Sequence, residues 1–83
     1  MHTHEHILIE KLREECRDAI SYAKLASEIK TEGEEWLGKK LRMMAYEEYT
    51  HAYTIRRGLL MNDVVIDDET CRLFKEAEEI AGN

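Results

Sequence analysis

Proline is absent from this chain of 83 residues, and glycine occurs only four times. Residues that interrupt helices are therefore scarce. Charged residues make up 36% of the chain and apolar residues 43%, a balance that is typical of long solvated helices rather than of sheets or disorder. We expect an all-α fold. A chain of this length forms a single domain over residues 1–83 with a modest core, so help from a partner is expected.

Cysteine pairs, basic charge and long apolar runs are also scarce, and each shortage excludes a class of function. Cys16 and Cys71 form neither a CxxC motif nor a zinc-ligand spacing, which is typical of reduced intracellular thiols. Twelve Lys and Arg against 18 Asp and Glu argue against nucleic acid and anionic membranes as partners. No apolar run approaches the roughly 20 residues that cross a bilayer, and no signal peptide is recognisable. We expect a cytoplasmic protein.

Hydrophobic periodicity predicts an antiparallel helical hairpin. The first helix is expected over residues 5–30 and the second over residues 34–62, with a turn at residues 31–33 in which Gly33 can adopt a positive φ. In both helices the inward positions recur at steps of three and four. They are Leu8, Leu12, Glu15, Ala19, Tyr22, Ala26 and Ile29 in the first helix, and Trp36, Leu37, Leu41, Met44, Ala45, Ala52, Ile55 and Leu59 in the second.

A short third helix is predicted over residues 68–81, where apolar residues again follow a helical period. Asp67 and Asp68 precede it and are suited to capping its first turn. The apolar residues 64–66 are expected to dock this helix against the hairpin.

Three ionisable residues fall on the apolar stripes of the hairpin: Glu15 on the first helix, and Glu48 and His51 on the second. A buried carboxylate and a buried imidazole are costly without a partner, and a metal ion would serve both. Glu15 lies 18 residues before Gly33 and His51 lies 18 after it. At ~1.5 Å per residue, both stand roughly 27 Å from the turn. The sequence therefore predicts that the three side chains meet as a metal site.

One hairpin supplies two carboxylates and one imidazole, which is too few ligands for a two-metal site. A second copy related by a twofold axis would double the set to four Glu and two His, and would complete the core as a four-helix bundle. Di-iron carboxylate bundles use this set of ligands. We therefore expect a homodimer, and further association of dimers is left open.

The two helices of the hairpin resemble the ferritin-like di-iron proteins, especially rubrerythrin and the two-helix encapsulated ferritins. The resemblance rests on Glu15, on Tyr22 seven positions later, and on the pattern A-x-x-E-x-x-H-A over residues 45–52. It implies that Glu15 is a terminal carboxylate ligand, Glu48 a carboxylate that bridges two irons and His51 a terminal imidazole ligand. It also implies that Tyr22 is the tyrosine beside the reacting centre that hydrogen-bonds a ligand carboxylate.

In that family the reaction is ferroxidase-type oxidation of Fe(II) by O2, and the resemblance implies the same activity here. A carboxylate-rich site suits Fe(II) and tolerates Fe(III), because hard anionic oxygens stabilise the higher charge. A site with manganese is an alternative. A second alternative is a non-enzymatic helical assembly or adaptor module, in which Glu15, Glu48 and His51 form a buried polar cluster that sets helix register.

Three histidines, His2, His4 and His6, alternate near the start of the chain. They could chelate a divalent ion. A frayed polar terminus is the more ordinary explanation of these histidines.

Overall fold

The computed structural model describes residues 4–83, which form three α-helices. α1 spans Glu5–Glu28, α2 spans Glu35–Met61 and α3 spans Asp68–Ala81, while a single 3₁₀ turn, Glu32–Glu34, joins α1 to α2. The all-α class, the hairpin and the short third helix are thus confirmed. Within the described residues, no helix is long and apolar enough to cross a membrane.

The hairpin turn differs from the prediction. Gly33 does not adopt a positive φ, because it lies inside the right-handed 3₁₀ turn, which is closed by a hydrogen bond from the Glu34 N–H to the Thr31 carbonyl (3.0 Å). The prediction about Gly33 was therefore wrong, although the position of the turn was right.

Within residues 4–83, the residue with a left-handed backbone lies instead at the end of α2. Asp63 has φ 58°, a conformation that Asp tolerates better than most side chains. The Val64 N–H donates to the Leu59 carbonyl (3.0 Å) and the Asp63 N–H donates to the Leu60 carbonyl (3.1 Å). These two bonds form a Schellman motif. Val64 and Leu59 are both buried, so the motif turns the chain and starts the packing of the next segment.

α3 packs on one face of the hairpin and builds the core there. Tyr49, which lies outside the inward stripe predicted for α2, is buried because its ring meets Phe74 of α3 at 5.7 Å between centroids. Its hydroxyl donates a hydrogen bond to Glu78 Oε2 (3.1 Å). Cys16 is also fully buried there, and burial raises the pKa of its thiol to about 11. The core consists of Leu12, Cys16, Ala19, Ile20, Ala45, Tyr49, Ala52, Leu59, Val64, Phe74, Ala77 and Ala81.

The other face of the hairpin is left open. Three predicted core residues of α2, Trp36, Leu37 and Met44, are exposed, since α3 packs on the Tyr49 side of that helix. Their placement in the core of a single chain was therefore wrong. Leu37, Met44 and His51 follow at steps of seven, so they share one stripe of α2.

The start of α3 is tied to α1 by a compact polar cluster. As predicted, Asp67 caps the helix: its Oδ2 accepts from the Thr70 N–H (3.1 Å) and its Oδ1 accepts from the Thr70 hydroxyl (2.7 Å). From α1, Arg13 donates to Thr70 Oγ1 (2.8 Å) and to Asp67 Oδ2 (3.0 Å). The residues before Asp67 contribute as expected, with Val64 buried and Ile66 packed against the core, whereas Val65 is exposed.

This cluster predicts a loss of stability in acid. The hydrogen bonds from Thr70, followed by those from Arg13, lower the pKa of Asp67 from 3.8 to about 2. The folded state therefore binds a proton less readily than the unfolded state. The stabilisation is complete above about pH 3.8 and is lost as the pH falls through about 2. Over this range, the free energy of unfolding measured with urea should fall more steeply for the wild type than for Asp67→Asn. The control is Asp68→Asn, which should follow the wild type, and parallel curves for Asp67→Asn and wild type would contradict the assignment.

Candidate metal centre

Glu15, Glu48 and His51 meet between α1 and α2. His51 Nδ1 lies 3.5 Å from Glu15 Oε2 and 3.6 Å from Glu48 Oε1. One ligand atom from each residue can be chosen so that all three lie within 4.8 Å of one another. The predicted convergence is confirmed, and it is the only such group of acidic, His and Cys side chains within residues 4–83. That these residues bind a metal stays a prediction.

The helix register explains why these residues meet. Because the turn lies midway between Glu15 and His51, both residues stand at the same height in the hairpin. Glu48 lies one helical turn from His51 and on the same side of α2. Alanines surround this level, and Ala19 and Ala52 are fully buried. Side chains this small favour a close approach of two helices.

Exposure rises across the site from Glu15 to His51. The side chains of Glu15, Glu48 and His51 are 9%, 23% and 58% exposed. The expected burial of His51 was therefore wrong. The site is a half-open cleft, with one carboxylate at its base and the imidazole at its rim. His51 lies at the face of the hairpin that α3 does not cover.

One oxygen at the base of the cleft has no hydrogen-bond partner. Glu15 Oε2 is buried and accepts no hydrogen bond from any described residue, since the imidazole nitrogen at 3.5 Å is too distant. The other oxygen, Oε1, is paired with Lys11 Nζ at 3.3 Å. A buried acceptor without a donor costs free energy. A cation bound between Glu15, Glu48 and His51 would satisfy this oxygen, so the donor set fits a metal ion.

The two carboxyl groups are tightly coupled. A protonated Glu48 can donate a hydrogen bond to the neighbouring Glu15 carboxylate, and this effect, together with burial and the negative charge of Glu15, raises the pKa of Glu48 to about 7. The same hydrogen bond lowers the pKa of Glu15, and Lys11 adds to that effect. Of the two carboxyl groups, Glu48 is therefore the more readily protonated. A metal ion that binds here would compete with a proton at Glu48.

Tyr22, the predicted catalytic residue, is half-buried and packs against the core. Its hydroxyl makes no hydrogen bond within residues 4–83. The predicted hydrogen bond from Tyr22 to a ligand carboxylate is thus not present among these residues, and the catalytic role of Tyr22 stays a prediction. Of the N-terminal histidines, His2 lies outside the described residues, while His4 and His6 are exposed.

The sequence-based prediction of the site did not include Lys11, which is paired with Glu15. The spacing of four residues between Lys11 and Glu15 was the available signal, since such pairs face each other on a helix.

No protein-family model, no curated protein and no solved structure matches this chain. The resemblance to ferritin-like proteins therefore stays a prediction, and function must be argued from the geometry of the cleft.

Replacing Glu15 with Leu distinguishes a metal site from a structural polar cluster. If the carboxylate is kept for metal binding, the variant measured in EDTA should be as stable as the wild type or about 1–2 kcal/mol more stable, because an unsatisfied buried oxygen is removed. A structural role instead predicts a clear loss of stability in urea unfolding. Glu14→Leu is the matched control, since Glu14 is the exposed neighbour and should change stability by less than about 0.5 kcal/mol.

Proposed function

We propose that this chain is a ferritin-like iron-binding protein that oxidises Fe(II) with O2 at a di-iron site formed between two copies. The main support is the convergence of Glu15, Glu48 and His51 around a buried oxygen that lacks a hydrogen-bond partner. Buried polar residues that only stabilise the fold are expected to hydrogen-bond to one another. In this group, the most buried acceptor, Glu15 Oε2, has no hydrogen-bond donor.

The donor set suits iron as the substrate. Carboxylate oxygens and an imidazole nitrogen bind Fe(II), and the negative charge of the carboxylates stabilises Fe(III) after oxidation. Each Fe(II) loses one electron, so two Fe(II) and two protons convert one O2 to hydrogen peroxide. In this proposal Glu15, Glu48 and His51 hold the iron, with both carboxylates in their ionised form. Manganese suits the same ligands, and metal analysis would identify it.

A second copy completes the site on the open face of the hairpin. Leu37 and Met44, on the stripe of His51, are 42% and 39% exposed, and burying them would favour association. Two hairpins facing each other would form a four-helix bundle with four Glu and two His, the ligand set of di-iron carboxylate proteins. α3 would remain outside this bundle, because it packs on the Tyr49 side.

Anaerobic titration with Fe(II), followed by admission of air, tests the activity. We expect one Fe(II) per chain and a rise in near-UV absorbance as Fe(III) forms. Glu48→Ala should bind Fe(II) at least about 100-fold more weakly, since loss of a direct ligand exceeds the cost of losing an outer-shell partner. Glu47→Ala, which changes the exposed neighbour, should behave like the wild type. Absence of stoichiometric uptake by the wild type would favour the non-enzymatic assembly or adaptor module instead.

The dimer is tested by placing a charge on the open face. Met44→Glu should convert a dimer to a monomer in sedimentation velocity and should abolish iron oxidation, because a buried unpaired carboxylate is costly and one hairpin holds only half of the ligands. Met43→Glu is the control, since Met43 is exposed and points about 100° away on the helix. A Met44→Glu variant that still dimerises and oxidises iron would contradict the proposed arrangement.

A further inference from the structure

Lys11 places a positive charge at the base of the cleft. Its Nζ lies 3.3 Å from Glu15 Oε1 and 3.5 Å from Glu14 Oε2. The Lys11 side chain is 53% exposed, whereas that of Glu15 is 9% exposed. The solvent-exposed ammonium group of Lys11 therefore contacts one oxygen of the Glu15 carboxylate, whose other oxygen has no hydrogen-bond partner.

We propose that Lys11 is a built-in competitor for the metal ion at Glu15, and that it is displaced toward Glu14 when the ion binds. The inference rests on the proposed metal site. Lysine offers a single compact charge on a flexible stem, so it neutralises a carboxylate without holding it in a fixed geometry. Such a group can withdraw without disturbing α1.

Glu14 gives the displaced ammonium a place to go. Lys11 lies between Glu14 and Glu15 on the helix surface, at spacings of three and four residues. The Glu14 side chain is 57% exposed and already within 3.5 Å of Nζ. Rotation about the bonds of the Lys11 stem is therefore enough to exchange one carboxylate for the other. No backbone movement is needed.

Because of this competition, a cation must gain more binding free energy from the cleft before it can displace Lys11. A cation that contacts Glu15 alone meets the repulsion of the ammonium beside it. A cation that also engages Glu48 and His51 gains enough to displace it. Lys11 thus selects for ions that use the whole ligand set, and it shields the buried carboxylate of Glu15 when none is bound.

Removal of the ammonium should have two effects of opposite sign. In EDTA, Lys11→Gln should melt at the same temperature as the wild type or lower, because Glu15 loses a partner. Its affinity for Fe(II) in anaerobic calorimetry should rise by about 3- to 10-fold, since an exposed charge pair is weak and the competing ion is divalent. A lysine that merely stabilises α1 would lower the melting temperature without raising the affinity.

Three further variants of the full chain sharpen the test. Lys11→Arg keeps the charge and should bind Fe(II) within about 2-fold of the wild type, as should Lys24→Gln on the opposite side of α1. Glu14→Gln should weaken Fe(II) binding, and it should do so less when Lys11 is also replaced, because the two residues act as a unit.

A wild type that binds no Fe(II) overturns the proposed function and the inference with it. A wild type that binds Fe(II), together with a Lys11→Gln variant that binds it no more tightly, overturns the role of Lys11 and leaves the metal site intact.

Discussion

The proposed site of this protein is centred on one buried carboxylate. Glu15 stands at the base of the cleft with one oxygen paired to Lys11 and the other without a hydrogen-bond partner. Such a group normally lowers the stability of a fold. It lies among fully buried alanines, where an apolar side chain would fit the periodicity of α1 better. This oxygen without a hydrogen-bond partner is the observation from which the metal site is proposed.

The local signals at the helix ends keep that carboxylate in register with its partners. The 3₁₀ turn Glu32–Glu34 reverses the chain within a few residues, so equal spacing along the chain becomes equal height in the hairpin. At the other end, the Schellman motif at Asp63 and the cap at Asp67 return the chain as α3. Arg13 of α1 hydrogen-bonds to Thr70 and Asp67 and so holds the start of α3 against α1. α1 and α2 thus carry the core on the face that α3 covers, and the candidate metal site toward the opposite face.

Much of this could be predicted from the sequence, because it follows from periodicity. The three helices and the meeting of Glu15 with His51 need only the rise and pitch of an α-helix. What periodicity cannot decide is which of two apolar faces a short third helix covers. The stripe predicted for α2 did not separate the face that α3 covers from the face that it leaves open. Leu37 and Met44 were therefore placed in the core, and Tyr49 was not. The role of Lys11 was missed for a related reason, since a charge beside an apolar stripe resembles an ordinary solvated residue.

The two faces of the hairpin differ in whether the chain itself covers them. α3 covers the Tyr49 side and contributes Phe74, Ala77 and Ala81 to the core there. It leaves uncovered the side where His51 is exposed. In the proposed dimer, the second copy would cover that imidazole and supply the remaining ligands. Association and metal binding are then linked, because whatever favours one also favours the other.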